Sequence, residues 1–151
     1  MVDLPADLTD FAFDAKFKKG MVAKVEGFVF ADGTTRDKYI VVLNRDASAS
    51  QAIFFLTTSK TEFYKTNTIA QTNAVVVPPG KVSFFPLETV VNCREAHSMK
   101  RVDMKKKFGD HQLTFKGHLP DDVLLQIEAV VSKSILIPPA ITKMILDDPG
   151  S

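Results

Sequence analysis

Two apolar runs mark the middle of the chain, Tyr39-Ile40-Val41-Val42-Leu43 and Ile53-Phe54-Phe55-Leu56. Each reads as a buried strand, and the small polar residues 45–50 between them read as a loop. The second run stops abruptly in Thr57-Thr58-Ser59-Lys60. Small hydroxyls and an ammonium thus leave the core together at a strand end. Upstream, residues 21–30 roughly alternate, which predicts a strand bent at Gly27. Asp32-Gly33 marks a tight turn, and residues 34–38 extend it into a polar loop. Residues 74–77 form a short strand stopped by Pro78-Pro79-Gly80, and residues 82–85 and 89–93 are two more, split by Pro86. Five to seven short, closely spaced strands suggest a small twisted barrel.

The two ends of the chain differ from this pattern. Residues 1–18 are acidic and aromatic, with Leu4, Leu8, Phe11, Phe13 and Phe17 among Asp3, Asp7, Asp10 and Asp14. Thr9 or Asp7 is placed to cap a short helix there. In the last third, Pro120 opens a helix, with Asp121 and Asp122 complementing its dipole. Val123, Leu124, Ile127, Val130 and Val131 form its apolar stripe. Pro138-Pro139 breaks it, and a second helix from Ala140 to about Leu146 follows. The expected fold is mainly β with C-terminal helices. It is one domain: a lead over 1–18, a barrel over 19–116, and helices over 117–147.

Composition narrows this picture. The 151 residues suffice for a core without disulfides or metals. A net charge of +1 gives no global pull toward nucleic acid, so any such pull is local. The single cysteine, Cys93, excludes an internal disulfide and reads as a packed core residue. No signal-peptide pattern and no membrane-length apolar run is visible, which makes the cytoplasm the expected location. The ending Asp147-Asp148-Pro149-Gly150-Ser151 reads as a frayed tail.

Three polar places carry candidate chemistry. In the loop before the first apolar run, Arg36 offers a bidentate phosphate contact and Lys38 a point charge. Read alone, this is a solvated loop with an Arg–Asp pair. Thr57, Thr58, Ser59 and Lys60 offer strand-end hydroxyls and a cation. The same residue types close turns through local hydrogen bonds. Arg94, Glu95 and His97 offer an anion clamp, an acid and a base within one short piece. In a strand, Glu95 and His97 share one face and Arg94 takes the other. Lys100 and Arg101 open the most basic stretch, with Lys105, Lys106 and Lys107 beyond, a patch that suits RNA or a charged hairpin in water. His111 and His118 sit in a loop at a spacing that matches no metal motif, and no metal or cofactor is expected.

Taken in order, these segments resemble the MazF/Kid/PemK family of plasmid-maintenance and growth-inhibitor toxins, from about Phe17 to Ser134. Phe17-Lys18-Lys19-Gly20-Met21-Val22-Ala23-Lys24-Val25 is similar to the family's opening strand. Arg36-Asp37-Lys38 and the apolar strand after it stand where the family has Arg-Pro and a strand. Phe55-Leu56-Thr57-Thr58-Ser59 resembles its strand ending in Thr-Ser. Glu88-Thr89-Val90-Val91-Asn92-Cys93 resembles the strand leading into its active-site segment, and Gly117-His118-Leu119-Pro120 its lead into the terminal helix.

The resemblance implies an SH3-like barrel, a homodimer, a cognate antitoxin protein, and metal-independent cleavage of single-stranded RNA that leaves a cyclic phosphate. Arg36 and Arg94 would then stabilise the phosphorane, and Glu95 or His97 would move the 2′-hydroxyl proton. Lys38, Thr57, Thr58, Ser59, Lys60, Lys100 and Arg101 would hold the RNA. The chain departs from the family where Asp37 follows Arg36 in place of proline and where Met21 replaces an acidic residue. Asn92 stands in place of the family's strand arginine, and residues 31–38 lack a histidine. A non-catalytic barrel that binds a protein or nucleic-acid partner is the alternative.

Overall fold

The computed structural model describes residues 6–46 and 48–146, so the expected frayed tail and the first five residues of the lead lie outside the described residues. The chain runs α1 (Ala6–Lys16), β1 (Met21–Val29), β2 (Thr35–Val42), β3 (Gln51–Thr58), α2 (Glu62–Thr66), α3 (Thr68–Thr72), β4 (Ala74–Val77), β5 (Thr89–Lys100), α4 (Arg101–Gly109), β6 (Leu113–His118), α5 (Asp121–Lys133) and α6 (Pro139–Leu146). One antiparallel sheet holds all six strands in the order β4-β5-β3-β2-β1-β6. It curls into a half-barrel, with β4 and β6 at its edges. The fold is mainly β with C-terminal helices, as the sequence indicates.

Both sheet faces are covered, which explains why β2 and β3 read as unbroken apolar runs. On one face Val41, Leu43, Ile53 and Phe55 pack with Val123, Ile127 and Val131 of α5 and Ile145 of α6. On the other, Ile40, Val42, Ala52, Phe54 and Leu56 pack with Phe13 of α1, Phe17 and Met104 of α4. The two-residue side-chain period divides each strand between the two cores.

Several local expectations are corrected. Residues 35–38 are not a loop: they begin β2, with Thr35 opposite Val29 and Arg36 opposite Phe28. This arm projects beyond the core, so its polar residues hide a strand. Gly27, at φ 64, breaks the β1–β2 register as a bulge, in keeping with the bend expected there. Residues 82–85 form no strand. Local bonds (Lys81 N–H to the Pro78 carbonyl, Phe85 N–H to that of Val82) fold them into turns that bury Phe85.

The Thr/Asn-rich stretch is helical, and the Asn67 side chain accepts from Ala70 N–H at 2.9 Å to cap α3. β5 runs to Lys100, well past Cys93, and the basic stretch after it is helix α4. His118 ends strand β6 and does not lie in a loop. Thr9 sits inside α1 and caps nothing there.

Candidate functional site

β2 enters and β3 leaves the sheet at the same end, because they are antiparallel with Ile40 opposite Leu56. Side chains far apart in sequence therefore meet around a cavity of about 530 Å³. Arg36, Lys38 and Lys60 supply its cations and Thr58 and Ser59 its hydroxyls. Tyr39, Phe84, Phe85 and Leu87 form an apolar wall. None of the three cations takes part in an ion pair among the described residues.

Asp37 is the carboxylate lining this cavity, and it is engaged elsewhere. Its Oδ1 accepts from the bulged Gly27 N–H at 3.0 Å, and its Oδ2 lies 3.8 Å from Lys24 Nζ. The residue thus pins the β1–β2 bulge and does not pair with Arg36. Lys38 is half-buried, and its Nζ donates to the Thr57 carbonyl at 3.4 Å. Burial first, and then the charges of Arg36 and Lys60, push the Lys38 pKa below the ordinary lysine value of 10.5.

The hydroxyls have divided duties. Thr57 is buried and donates to the Tyr39 carbonyl at 3.2 Å, so it ties the strands together. Thr58 Oγ1 accepts from Lys60 N–H at 3.0 Å, which closes the turn and leaves its own proton to donate. The turn and the ligand-facing rim are therefore the same structure. Sequence reasoning missed the wall. Its signal was the apolar Phe84-Phe85-Pro86-Leu87, which reads equally as the end of a strand. Gly117 makes room for that wall, since a Cβ there would lie 2.5 Å from Phe84 Cε1.

The third polar segment lies elsewhere: Arg94, Glu95 and His97 do not line this cavity. The β3–β5 register breaks between Asn92 and His97, so the intervening residues leave the ladder. Arg94 sits 5.4 Å over the Phe63 ring of α2. Glu95 is exposed. His97 stacks on Phe54 at 5.7 Å and meets Phe28 edge-on at 5.6 Å, on the rim of a second cavity. Burial lowers its imidazole pKa, and nearby Glu95 offsets this in part.

Lys100 and Arg101 lie at the opposite end of β5, since Val90 pairs with Thr58 but Lys100 with Gln51. At about 3.3 Å per residue, the strand carries Lys100 about 30 Å from Val90. Arg101 is spent on structure: its Nη2 lies 2.7 Å from Asp14 Oδ1, and its guanidinium lies 4.9 Å from the Phe17 ring. Lys105 reaches the same Asp14 at 3.2 Å. The acids of the N-terminal lead thus neutralise part of the basic stretch. Cys93 is fully buried, and burial pushes its thiol pKa up to about 12, which makes it a packing residue.

Among the described residues, no group of three or more His, Cys, Asp and Glu side chains could hold a metal ion. No helix among them is long and apolar enough to cross a membrane. Comparison with protein-family models and with curated proteins gives no match to this chain.

Proposed function

We propose that the cavity between β2 and β3 binds single-stranded RNA by its phosphates and cleaves it, as a divergent member of the MazF/Kid/PemK toxins. One observation carries this reading: three cations with no carboxylate partner among the described residues converge with hydroxyls able to donate, beside an aromatic wall. Cations grip the backbone, hydroxyls fix its register, and rings receive bases. Arg36 and Lys60 stabilise the charge that grows on phosphorus. Thr58 and Ser59 orient the phosphate.

Lys38 takes the proton role that Glu95 and His97 are too poorly placed to fill. In its deprotonated fraction the Lys38 amine accepts the 2′-hydroxyl proton as the 2′-oxygen attacks phosphorus, while Arg36 and Lys60 keep hold of the phosphate. The bond to the 5′-oxygen breaks, and that oxygen takes up a proton from the Lys38 ammonium so formed, leaving a 2′,3′-cyclic phosphate, a 5′-hydroxyl and the free amine. Burial and the neighbouring cations disfavour the charged form of Lys38, which is the direction this task requires. The same reading makes the chain a homodimer restrained by a cognate antitoxin.

The test is incubation of purified protein with mixed-sequence RNA in EDTA, followed by end mapping. Cyclic-phosphate ends that vanish in Arg36→Ala, with the fold intact by circular dichroism, support the reading. A folded protein that binds RNA without cutting it establishes the second reading, a binding barrel. That reading is favoured by the placement of Arg94, Glu95 and His97 outside the cavity. A protein that neither binds nor cuts RNA overturns the toxin reading and the RNA-binding form of the second.

A further inference from the structure

A second cavity lies between the bulged end of β1 and the outer half of β5. The β1–β6 pairing ends at Val25 opposite Leu113, and the next turn of β1 carries Phe28 over the sheet toward β5. There, Phe28, Phe54, His97 and Met99 wall a cavity of about 330 Å³, with Ser98 and Lys107 at its edge. That volume lies at the small end of the range for ligand sites, about 300–1,000 Å³. His97 lies nearly parallel to Phe54, at 18°, and Phe28 stands at 86° to it. The imidazole nitrogens, the Ser98 hydroxyl and the Lys107 ammonium have no hydrogen-bond or ion-pair partner among the described residues. The site therefore combines planar rings with a solvent-facing donor–acceptor edge and, in Lys107, a cation without an ion-pair partner among the described residues.

The two cavities are linked by contacts. Lys38, in the first cavity, lies 6.0 Å over the Phe30 ring, and Phe30 meets Phe28 edge-on at 5.2 Å. Phe28 is in turn a wall of the second cavity. A polymer gripped at Lys38 thus has an aromatic path to His97.

We infer that the second cavity is a nucleobase subsite for the RNA strand held in the first, with the base on the half-buried Phe28 and His97 rings, which the buried Phe54 backs, and Lys107 on a flanking phosphate. This rests on the proposed RNA reading. The chemistry favours a base over an acyl chain, because an apolar occupant would leave the imidazole, hydroxyl and ammonium unanswered. Stacking on rings beside a cationic groove is how single strands are held with little sequence preference. The imidazole and Ser98 add an edge able to discriminate.

The test follows the ring protons of His97 by NMR in the full chain, during separate titrations with inorganic phosphate, a nucleoside monophosphate and a short single-stranded RNA. The expected result is a ring-current shift of His97 with the mononucleotide and none with phosphate, which moves only the amide signals of Thr58 and Ser59. Lys107→Ala lies outside both cores and lowers mononucleotide affinity, and His97→Ala weakens binding of a short RNA by about tenfold. If RNA moves Thr58 and Ser59 while His97 stays still, the subsite is overturned and the first cavity stands. If RNA moves neither, both fall.

Discussion

The cavity at the β2–β3 end and the outer half of β5 draw on the same residue types with opposite results. Arg36 and Lys38 come from β2 and Lys60 from the turn after its antiparallel neighbour β3, and they meet. Arg94, Glu95 and His97 come from one strand within four residues, and they part company: one over Phe63, one exposed, one on Phe54. Strand alternation sends neighbours in sequence to opposite faces, whereas antiparallel pairing brings distant residues side by side. A site in a sheet is therefore assembled across strands more readily than along one. The difference extends to charge. Among the described residues the cations of the first cavity have no ion-pair partners, while Arg101 and Lys105 beyond β5 are answered by Asp14.

Lys38→Arg breaks this comparison most sharply. Arginine keeps the charge but cannot give up its proton near neutral pH. RNA binding is expected to survive within a few-fold, while cleavage falls by about 10²- to 10⁴-fold, the usual weight of a proton-transfer group. Arg94→Ala, made in parallel, is expected to leave cleavage within about threefold. Single-turnover cleavage and filter binding on the same protein samples separate the two effects. Equal losses in both variants would show that β5 belongs to the site after all.

The wall comes next. Gly117 has φ 155, and an added Cβ would press on the Phe84 ring. Gly117→Ala is expected to cost about 1–3 kcal/mol by urea unfolding, as overpacking does, and to weaken RNA binding by displacing Phe84. Arg101→Ala should cost less, about 1–2 kcal/mol, because Asp14 is nearly half exposed and the ion pair is screened. Most of that loss comes from the stem and guanidinium over Phe13 and Phe17. RNA affinity should hardly change. A stable Arg101→Ala protein with much weaker RNA binding would return the basic stretch to the RNA surface.

How much of this was legible follows from where each signal is stored. β3 and α5 were readable because their apolar residues keep one pattern over a whole element. The cluster of Arg36, Lys38, Thr58, Ser59 and Lys60 was readable as two separate segments, and its convergence followed from pairing two neighbouring strands. The start of β2 was not readable, since Thr35-Arg36-Asp37-Lys38 has no apolar residue and its strand geometry comes from its partner in β1. Helix α4 was hidden by charge: its one buried side chain is Met104, so it lacks an apolar stripe. The role of Arg101 depended on Asp14, 87 residues away, a distance no local pattern spans.

The smallest expected effect is a pH dependence that belongs to β5 alone. In the folded chain the His97 imidazole sits below its ordinary pKa of 6.5, because burial against Phe54 and Phe28 disfavours the charged ring. The unfolded chain keeps the ordinary value, so on acidification it takes up the proton first. Stability should therefore fall as pH drops through 6.5 and level off, for this group, once the folded value is passed. Asp32, Asp46 and Asp122 act in a lower window. Hydrogen bonds from Thr34, Ser48 and Lys81 hold their carboxyls below the ordinary 3.8, so their contributions are lost only as pH falls through that region. Urea midpoints between pH 7 and 5 should decline in the native chain and stay flatter in His97→Gln. The slope should also shrink when a mononucleotide fills the second cavity, if the imidazole then gains a partner for its proton. A slope unchanged by His97→Gln would mean that the imidazole is solvated in the native state, and that its partial burial against Phe54 and Phe28 is wrong.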